Sequence, residues 1–316
     1  MSDRPSAVSA SEGAVTKTPE RYAEVATGIT LCYDTFGDPS DPTMLLIMGL
    51  GAQMVAWEEE FCQQLADHGF HVVRFDNRDA GLSTFLPEPV EVFEVIQQIG
   101  AGETPEVPYL LSDMAQDTVG LLDHLGVESA HIVGASLGGM IAQTVAIEHP
   151  ERVATLTSIM STTGDPDVGQ PTPEALGVLL TPPPQTREQM QDRRVASAQA
   201  FGSPGLWDEV TVRRRAGEHW DRKHDATGVA RQLVAILASG SRSEQLRQLD
   251  IPTLVIHGTA DNLVGRSGGE RTAEVVPNAK LLLIEGMGHD LPQVLWPQIV
   301  DAITAHAAQH PPGEPD

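Results

Sequence analysis

Residues 130–139 read Ala-His-Ile-Val-Gly-Ala-Ser-Leu-Gly-Gly, an apolar run that leads into a Gly-x-Ser-x-Gly pattern. Residues 140–146 continue with an apolar helical pattern. This order predicts a buried strand, a tight turn that carries Ser136, and a helix, and the glycines leave room for the backbone at the turn. A serine at such a turn projects its hydroxyl beside the free N–H groups of the helix start. The stretch therefore predicts a nucleophilic serine.

A serine nucleophile needs a base, and the base needs an acid that orients it. Residues 252–257 read as a buried parallel strand followed by a loop with Asp261, and residues 279–285 read as a strand followed by a loop with His289. Open α/β sheets place their sites beyond the carboxyl ends of the strands, so these loops should meet Ser136. We assign Ser136 as nucleophile, His289 as general base and then acid, and Asp261 as the residue that fixes the imidazole tautomer.

An oxyanion in acyl transfer is stabilised by two backbone N–H donors. The first candidate is the N–H of Leu137, the residue after the nucleophile. The second should come from the loop after an early strand, and the apolar strand 44–47 is followed by Met48-Gly49-Leu50-Gly51. The N–H of Leu50 is the candidate in that loop.

From about residue 21 to about residue 308, the chain resembles the serine esterases of the α/β-hydrolase fold. Within that superfamily it is most similar to the aclacinomycin methylesterase type and related bacterial carboxylesterases. The segments that carry the resemblance are 48–49, 74–83, 134–139, 257–261 and 288–289. Many relatives have His-Gly where this chain has Met48-Gly49, so the hydrogen bonds of such a histidine are absent here.

Strands that alternate with helical patterns predict an α/β fold, with a mostly parallel sheet and helices on both faces. The resemblance implies an α/β-hydrolase fold with a helical lid inserted after the strand near 153–160. We expect the following organisation: a disordered N-terminal tail over 1–20, a core over 21–161 and 249–308, a helical lid over 162–248, and a C-terminal tail over 309–316. Residues 85–111 are a candidate for a second lid segment.

Several other residues have competing interpretations. Asp165 is an alternative to Asp261 as the orienting acid, and His257 reads as a core histidine bonded to backbone. Asp290 reads as a cap for a helix that begins near residue 291. Residues 76–79 read as turn residues with a buried ion pair that holds the loop behind the predicted oxyanion hole. Four methionines on flanking loops are either core residues or the lining of an adaptable acyl pocket: Met48, Met54, Met160 and Met287.

The composition narrows the classes of partner. The formal net charge of the 316 residues is −24, which disfavours nucleic acid and anionic membranes as partners. No apolar run is long enough to span a bilayer. The two cysteines, Cys32 and Cys62, form neither a disulfide framework nor a metal motif, so we expect cytoplasmic residence. The serine mechanism requires no metal and no cofactor, and none is expected. The oligomeric state is left open.

The sequence thus predicts a carboxylic-ester hydrolase that acts through a serine acyl-enzyme on small to medium neutral esters. A perhydrolase, an amidase or a carbon–carbon bond hydrolase could use the same three residues. A ligand-binding protein without catalysis is the alternative from another class, since the fold also serves as a receptor.

Overall fold

A computed structural model describes residues 17–313, in which eight strands form one sheet in the order β1-β2-β4-β3-β5-β6-β7-β8. The strands are β1 Arg21–Glu24, β2 Thr30–Phe36, β3 Thr43–Ile47, β4 His71–Phe75, β5 Ala130–Ala135, β6 Val153–Ile159, β7 Thr253–Gly258 and β8 Lys280–Ile284. The first two strand pairings, β1 with β2 and β2 with β4, are antiparallel, and all the others are parallel. The predicted mostly parallel sheet is therefore confirmed.

Eleven α-helices and three short 3₁₀ helices accompany the sheet within the described range, and the α-helices are numbered in chain order. They are α1 Glu59–Asp67, α2 Val92–Gly100, α3 Leu111–Leu125, α4 Leu137–Glu148, α5 Pro173–Leu179, α6 Arg187–Phe201, α7 Glu209–Arg222, α8 Gly228–Ser239, α9 Ser243–Leu246, α10 Ser267–Val275 and α11 Trp296–Ala308. No helix of residues 17–313 is both long enough and apolar enough to cross a bilayer.

The core lies on both faces of the sheet because successive residues of a strand point to opposite faces. In β3, Leu45 and Ile47 pack into one hydrophobic cluster with α3 and α4, while Met44 and Leu46 pack into the other with α1 and α11. All residues of β3, β4, β5 and β7 are buried, as expected for parallel strands covered on both sides. Helices thus cover both faces, as predicted.

Helices α5 to α9 stand between β6 and β7, in the stretch where the sequence predicts the lid. We call these five helices the insert. Three of them begin at side-chain caps, because the oxygens of Thr172, Thr186 and Asp208 each accept a hydrogen bond from the first turn. Helix α2, from the candidate second lid segment, packs against α8. Residues 1–16 of the predicted N-terminal tail and residues 314–316 of the predicted C-terminal tail lie outside the described residues.

Candidate active site

Ser136 occupies the turn between β5 and α4 with a φ of 57° and a ψ of −120°. A non-glycine residue at positive φ is strained and persists only where its surroundings hold it. The Ser136 N–H donates to the Ile159 carbonyl at 2.9 Å, and the Ser136 carbonyl accepts from the Ser161 hydroxyl at 2.8 Å. Gly138 lets the turn approach β3, because a Cβ there would lie 2.1 Å from the Ile47 carbonyl oxygen. The backbone thus fixes the serine at the carboxyl end of β5.

Asp261 and His289 lie on the loops after β7 and β8. The Asp261 side chain contacts His289, and the His289 side chain contacts Ser136. His289 Nδ1 is 2.7 Å from Asp261 Oδ2, and His289 Nε2 is 2.9 Å from Ser136 Oγ. A carboxylate only accepts hydrogen bonds, so Nδ1 carries the proton and Nε2 accepts from the hydroxyl. The three residues assigned from the sequence are brought together in one hydrogen-bonded series.

The surroundings of Asp261 hold its carboxylate in one orientation. Its Oδ1 accepts from the backbone N–H groups of Leu263 and Val264, both at 2.9 Å, which leaves Oδ2 for His289. The Asp261 side chain has no exposed surface, and that of His289 is 8% exposed. The acid is therefore enclosed, while the imidazole remains within reach of a substrate.

The backbone N–H groups of Leu50 and Leu137, both near Ser136, have no acceptor in the described part of the chain. Leu137 is the first residue of α4. The loop 48–51 lies beside the serine, since a Cβ on Gly49 would be 3.1 Å from the Ser136 Cβ. These are the two amides that the sequence analysis assigns to an oxyanion hole.

The four candidate pocket methionines are all buried. Met48 is 8% exposed, Met160 is 4% exposed, and Met54 and Met287 have no exposed surface. Met48, Met160 and Met287 belong to the same hydrophobic cluster as α1 and α11. Their role in lining an acyl pocket stays a prediction.

The contacts of His257 and Asp165 distinguish between the interpretations given for these two residues. His257 is a core histidine, as predicted: its side chain is fully buried and its Nε2 donates to the Val264 carbonyl at 2.8 Å. Burial lowers the pKa of His257, which keeps the ring neutral. Sequence reasoning missed that its Nε2 also lies 3.5 Å from Asp261 Oδ2. Asp165 instead binds Arg271 at 2.7 Å, together with Ser243 at 2.6 Å.

The prediction that Asp290 caps a helix is wrong. A 3₁₀ helix begins at Gln293 with Pro292 as its N-cap, and α11 begins at Trp296 with Leu295 as its N-cap. Asp290 instead accepts hydrogen bonds from the N–H and hydroxyl of Ser203. The Ser203 hydroxyl in turn accepts from the Gly288 N–H at 2.8 Å. Burial raises the pKa of Asp290. The residue therefore ties the loop of His289 to the end of α6, a role for which the sequence offers no local signal.

The sequence predicts one buried ion pair in residues 76–79, and the structure has three. Two of them, those of Asp76 and Asp79, reach helices α7 and α8 of the insert. Asp76 accepts from the Met54 N–H at 2.6 Å and pairs with Arg222 at 2.8 Å. Arg78 pairs with Asp117 at 2.6 Å. Asn77 Nδ2 donates to the Met48 carbonyl at 2.9 Å, which holds the first residue of the 48–51 loop. The segment is thus a scaffold behind that loop.

Within residues 17–313, no group of three or more histidines, cysteines, aspartates or glutamates has the arrangement of a metal site. The side chains that meet at Ser136 are those of acyl-transfer chemistry: a hydroxyl, a hydrogen-bonded imidazole and a buried carboxylate.

Comparisons with known proteins agree with this arrangement. A family model described as the alpha/beta hydrolase fold matches residues 42–292. The rhodomycin D methylesterase DauP of Streptomyces sp. (strain C5) is 30% identical over 301 residues, covering 88% of this chain and 95% of that protein. The rhodomycin D methylesterase DnrP of Streptomyces peucetius is 29% identical with the same coverage.

Among solved structures, the meta-cleavage product hydrolase CumD of Pseudomonas fluorescens IP01 has the same fold. Its TM-score is 0.71 at 21% identity, over 92% of this chain and 97% of that one. The family model and the methylesterase relatives together show that the protein is a hydrolase. The chain belongs to the α/β-hydrolase family, among the esterases of the aclacinomycin methylesterase type.

Proposed function

We propose that the protein is a carboxylic-ester hydrolase that works through an acyl-enzyme on Ser136. The observation that carries the proposal is the hydrogen-bonded series from Asp261 through His289 to Ser136, with distances of 2.7 Å and 2.9 Å. A serine hydroxyl is a weak nucleophile unless a base takes its proton, and His289 Nε2 is within reach to do so.

In the proposed reaction, Ser136 Oγ attacks the ester carbonyl while its proton moves to His289 Nε2. The N–H groups of Leu50 and Leu137 stabilise the negative oxygen of the tetrahedral intermediate. His289 then gives its proton to the leaving alcohol, so that an acyl-enzyme remains. In the second half, His289 removes a proton from water, which attacks the acyl group and releases the acid. Asp261 stabilises the imidazolium in both halves.

We further propose that small to medium neutral esters are the preferred substrates. Residues 165–248 contain 11 basic and 11 acidic residues, so 11 minus 11 leaves the whole formal charge of −24 on the rest of the chain. A strongly acidic core repels anionic substrates at long range. The two cysteines, Cys32 and Cys62, are free and buried, which supports residence in the reducing cytoplasm.

The test is a panel of short p-nitrophenyl esters with wild type, Ser136→Ala and a matched control, Ser112→Ala. Ser112 is exposed on α3, where its hydroxyl donates to Glu148. We expect a burst of nitrophenol from wild type and from Ser112→Ala, and no turnover by Ser136→Ala. A fluorophosphonate probe should label wild type but not Ser136→Ala.

Other outcomes would support other functions. Negligible ester turnover beside rapid cleavage of a diketone would favour carbon–carbon bond hydrolysis. A serine that does not react with the probe would favour a ligand-binding protein. Equal turnover of anionic esters and their neutral isosteres across a range of salt concentrations would contradict the neutral preference.

A further inference from the structure

Helix α8 of the insert lies directly on the 48–51 loop. The Gly51 N–H donates to Gln232 Oε1 at 2.8 Å, a contact between residues 181 positions apart in the chain. A Cβ on Gly51 would lie 2.6 Å from Val229 Cγ2, and the φ of 62° at Gly51 also favours glycine here. The loop that carries Leu50 is therefore packed against the insert as well as against the core.

The orientation of the Gln232 amide is set by a second contact. Its Nε2 donates to the Arg78 carbonyl at 2.7 Å, and the side chain has no exposed surface. The opposite orientation would place an amide NH2 against the Gly51 N–H and an amide oxygen against the Arg78 carbonyl. Both contacts would then be repulsive and no water could replace them, so Gln232 presents its oxygen to Gly51.

Hydrogen bonds hold the peptide groups around Leu50 in this way. One peptide group before the one that carries the Leu50 N–H, the Met48 carbonyl accepts from Asn77 Nδ2 at 2.9 Å. On the C-terminal side, Gln232 holds the Gly51 N–H, and Gly51 has a φ of 62°, as the third residue of a type II turn does. The Ala52 N–H closes the turn by donating to the Gly49 carbonyl at 3.2 Å. The Leu50 N–H lies between these fixed groups and donates to no described group.

We propose that Gln232 is a positioning residue for the oxyanion hole. Gln232 holds the peptide group between Leu50 and Gly51, which is the central peptide of the turn 49–52. By fixing that turn, it keeps the Leu50 N–H of the preceding peptide group directed at the position of the developing negative oxygen. This inference rests on the proposed function. It assigns part of the catalytic framework to the insert and requires α8 to stay seated on the core throughout the reaction, while any opening for substrate occurs elsewhere in the insert.

A donor that is misdirected loses most of its effect in the transition state, because the oxygen carries its full charge only there. Loss of Gln232 should therefore lower kcat and leave KM nearly unchanged. A merely structural role would instead lower the fraction of active protein and would affect all substrates equally.

The test compares an ester with its thionoester analogue, in which sulfur replaces the carbonyl oxygen. Sulfur is a weak hydrogen-bond acceptor, so the thionoester gains little from the oxyanion hole. We use Gln232→Met, which keeps the length of the side chain but has neither amide group. The control is Tyr109→Phe, which removes another buried hydrogen bond near α8, the one at 2.7 Å from Tyr109 to Asp79.

For Gln232→Met we expect kcat on the ester to fall about tenfold to a hundredfold, with a much smaller loss on the thionoester. Tyr109→Phe should keep the wild-type ratio of the two rates. Because the ratio is measured within one sample, partial unfolding does not change it. If Gln232→Met does not accumulate, Gln232→Asn replaces it, since it is one methylene too short to span both contacts.

If both rates fall by the same factor in the Gln232 variant, so that their ratio stays at the wild-type value, the proposal is overturned. The proposed function fails separately, if Ser136→Ala retains the activity of wild type. The two failures are therefore distinguishable in one set of assays.

Discussion

Asp79 and Arg231 form a buried, two-point ion pair that joins the loop after β4 to helix α8. Arg231 Nε lies 2.9 Å from Asp79 Oδ2, and Arg231 Nη2 lies 2.8 Å from Asp79 Oδ1. Both residues are 2% exposed, and Tyr109 donates a further hydrogen bond to the carboxylate. The pair lies one residue from Gln232 in α8, so a charged contact and an amide contact together fasten this helix beside the 48–51 loop.

We expect Asp79→Asn to destabilise the protein by about 3–5 kcal/mol, because it leaves the Arg231 guanidinium buried without its counter-charge. Asparagine tolerates the φ of 64° at this position, so the backbone should be retained. The measurement is urea denaturation of both the single variant and the double variant Asp79→Asn, Arg231→Met. The double variant should recover most of the lost free energy of unfolding. If the single variant were as stable as wild type, the ion pair would not have the expected strength.

Acid should destabilise the fold through buried histidines, one of which is His131. Burial, together with His306 and His310, lowers the pKa of His131 to about 4. The unfolded chain, with a histidine pKa of about 6.5, therefore takes up this proton at a higher pH than the folded chain. Stability from this residue is complete above about pH 6.5 and is lost as the pH falls towards 4.

The check is His131→Gln, compared with wild type by urea denaturation between pH 7 and pH 4.5. Wild type should lose about 2–3 kcal/mol more than the variant over this range, since glutamine does not titrate. The difference between the two slopes is the relevant quantity, because the substitution also removes the hydrogen bond of 2.9 Å to Thr155. Parallel slopes would mean that His131 is not the group that titrates.

The parts of the site that the sequence could predict are those with local patterns. The turn at Ser136 follows from a strand, small residues and a helix within a short stretch, and the loops of Asp261 and His289 each follow an apolar strand. Because parallel strands end at the same edge of a sheet, three separate patterns predict one cluster.

The remaining contacts depend on tertiary structure and have no such pattern. Gln232 is one polar residue in an amphipathic helix, and only the packing of α8 on the core shows that it reaches Gly51. The prediction that Asp290 caps a helix is wrong for the same reason. Its partner, Ser203, lies 87 residues away in the insert, and no local rule indicates which acidic residue near a helix start has a distant donor.

Gly138→Ala should damage the site by forcing α4 away from β3. The added Cβ would lie 2.1 Å from the Ile47 carbonyl oxygen, which is part of a buried strand and cannot move aside. We expect a loss of about 1–3 kcal/mol and a fall in kcat of at least about tenfold, because the shift moves the Leu137 N–H away from Ser136.

The matched control is Gly177→Ala in α5, where nothing lies within 4 Å of the added methyl group. Alanine is the better helix former, so this variant should gain about 1 kcal/mol and keep its activity. Thermal unfolding and ester assays on both variants give the comparison. Equal melting temperatures for the two variants would contradict the close approach of the turn to β3.

The identity of the orienting acid can be tested by comparing Asp261→Asn with Asp165→Asn. Asp261 lies 2.7 Å from His289 Nδ1, so an amide there would favour the wrong imidazole tautomer. We expect kcat to fall about 10⁴-fold with little change in KM, as in other enzymes with this arrangement.

Asp165 has other partners. Although burial raises the pKa of Asp165, hydrogen bonds from Ser241, Ser243 and Arg271 lower it to about 2. Asp165→Asn should therefore keep kcat within about threefold of wild type and lose only stability. If Asp165→Asn abolished turnover while Asp261→Asn remained active, the roles of the two carboxylates would be reversed, and the acid would have to reach His289 from the loop after β6.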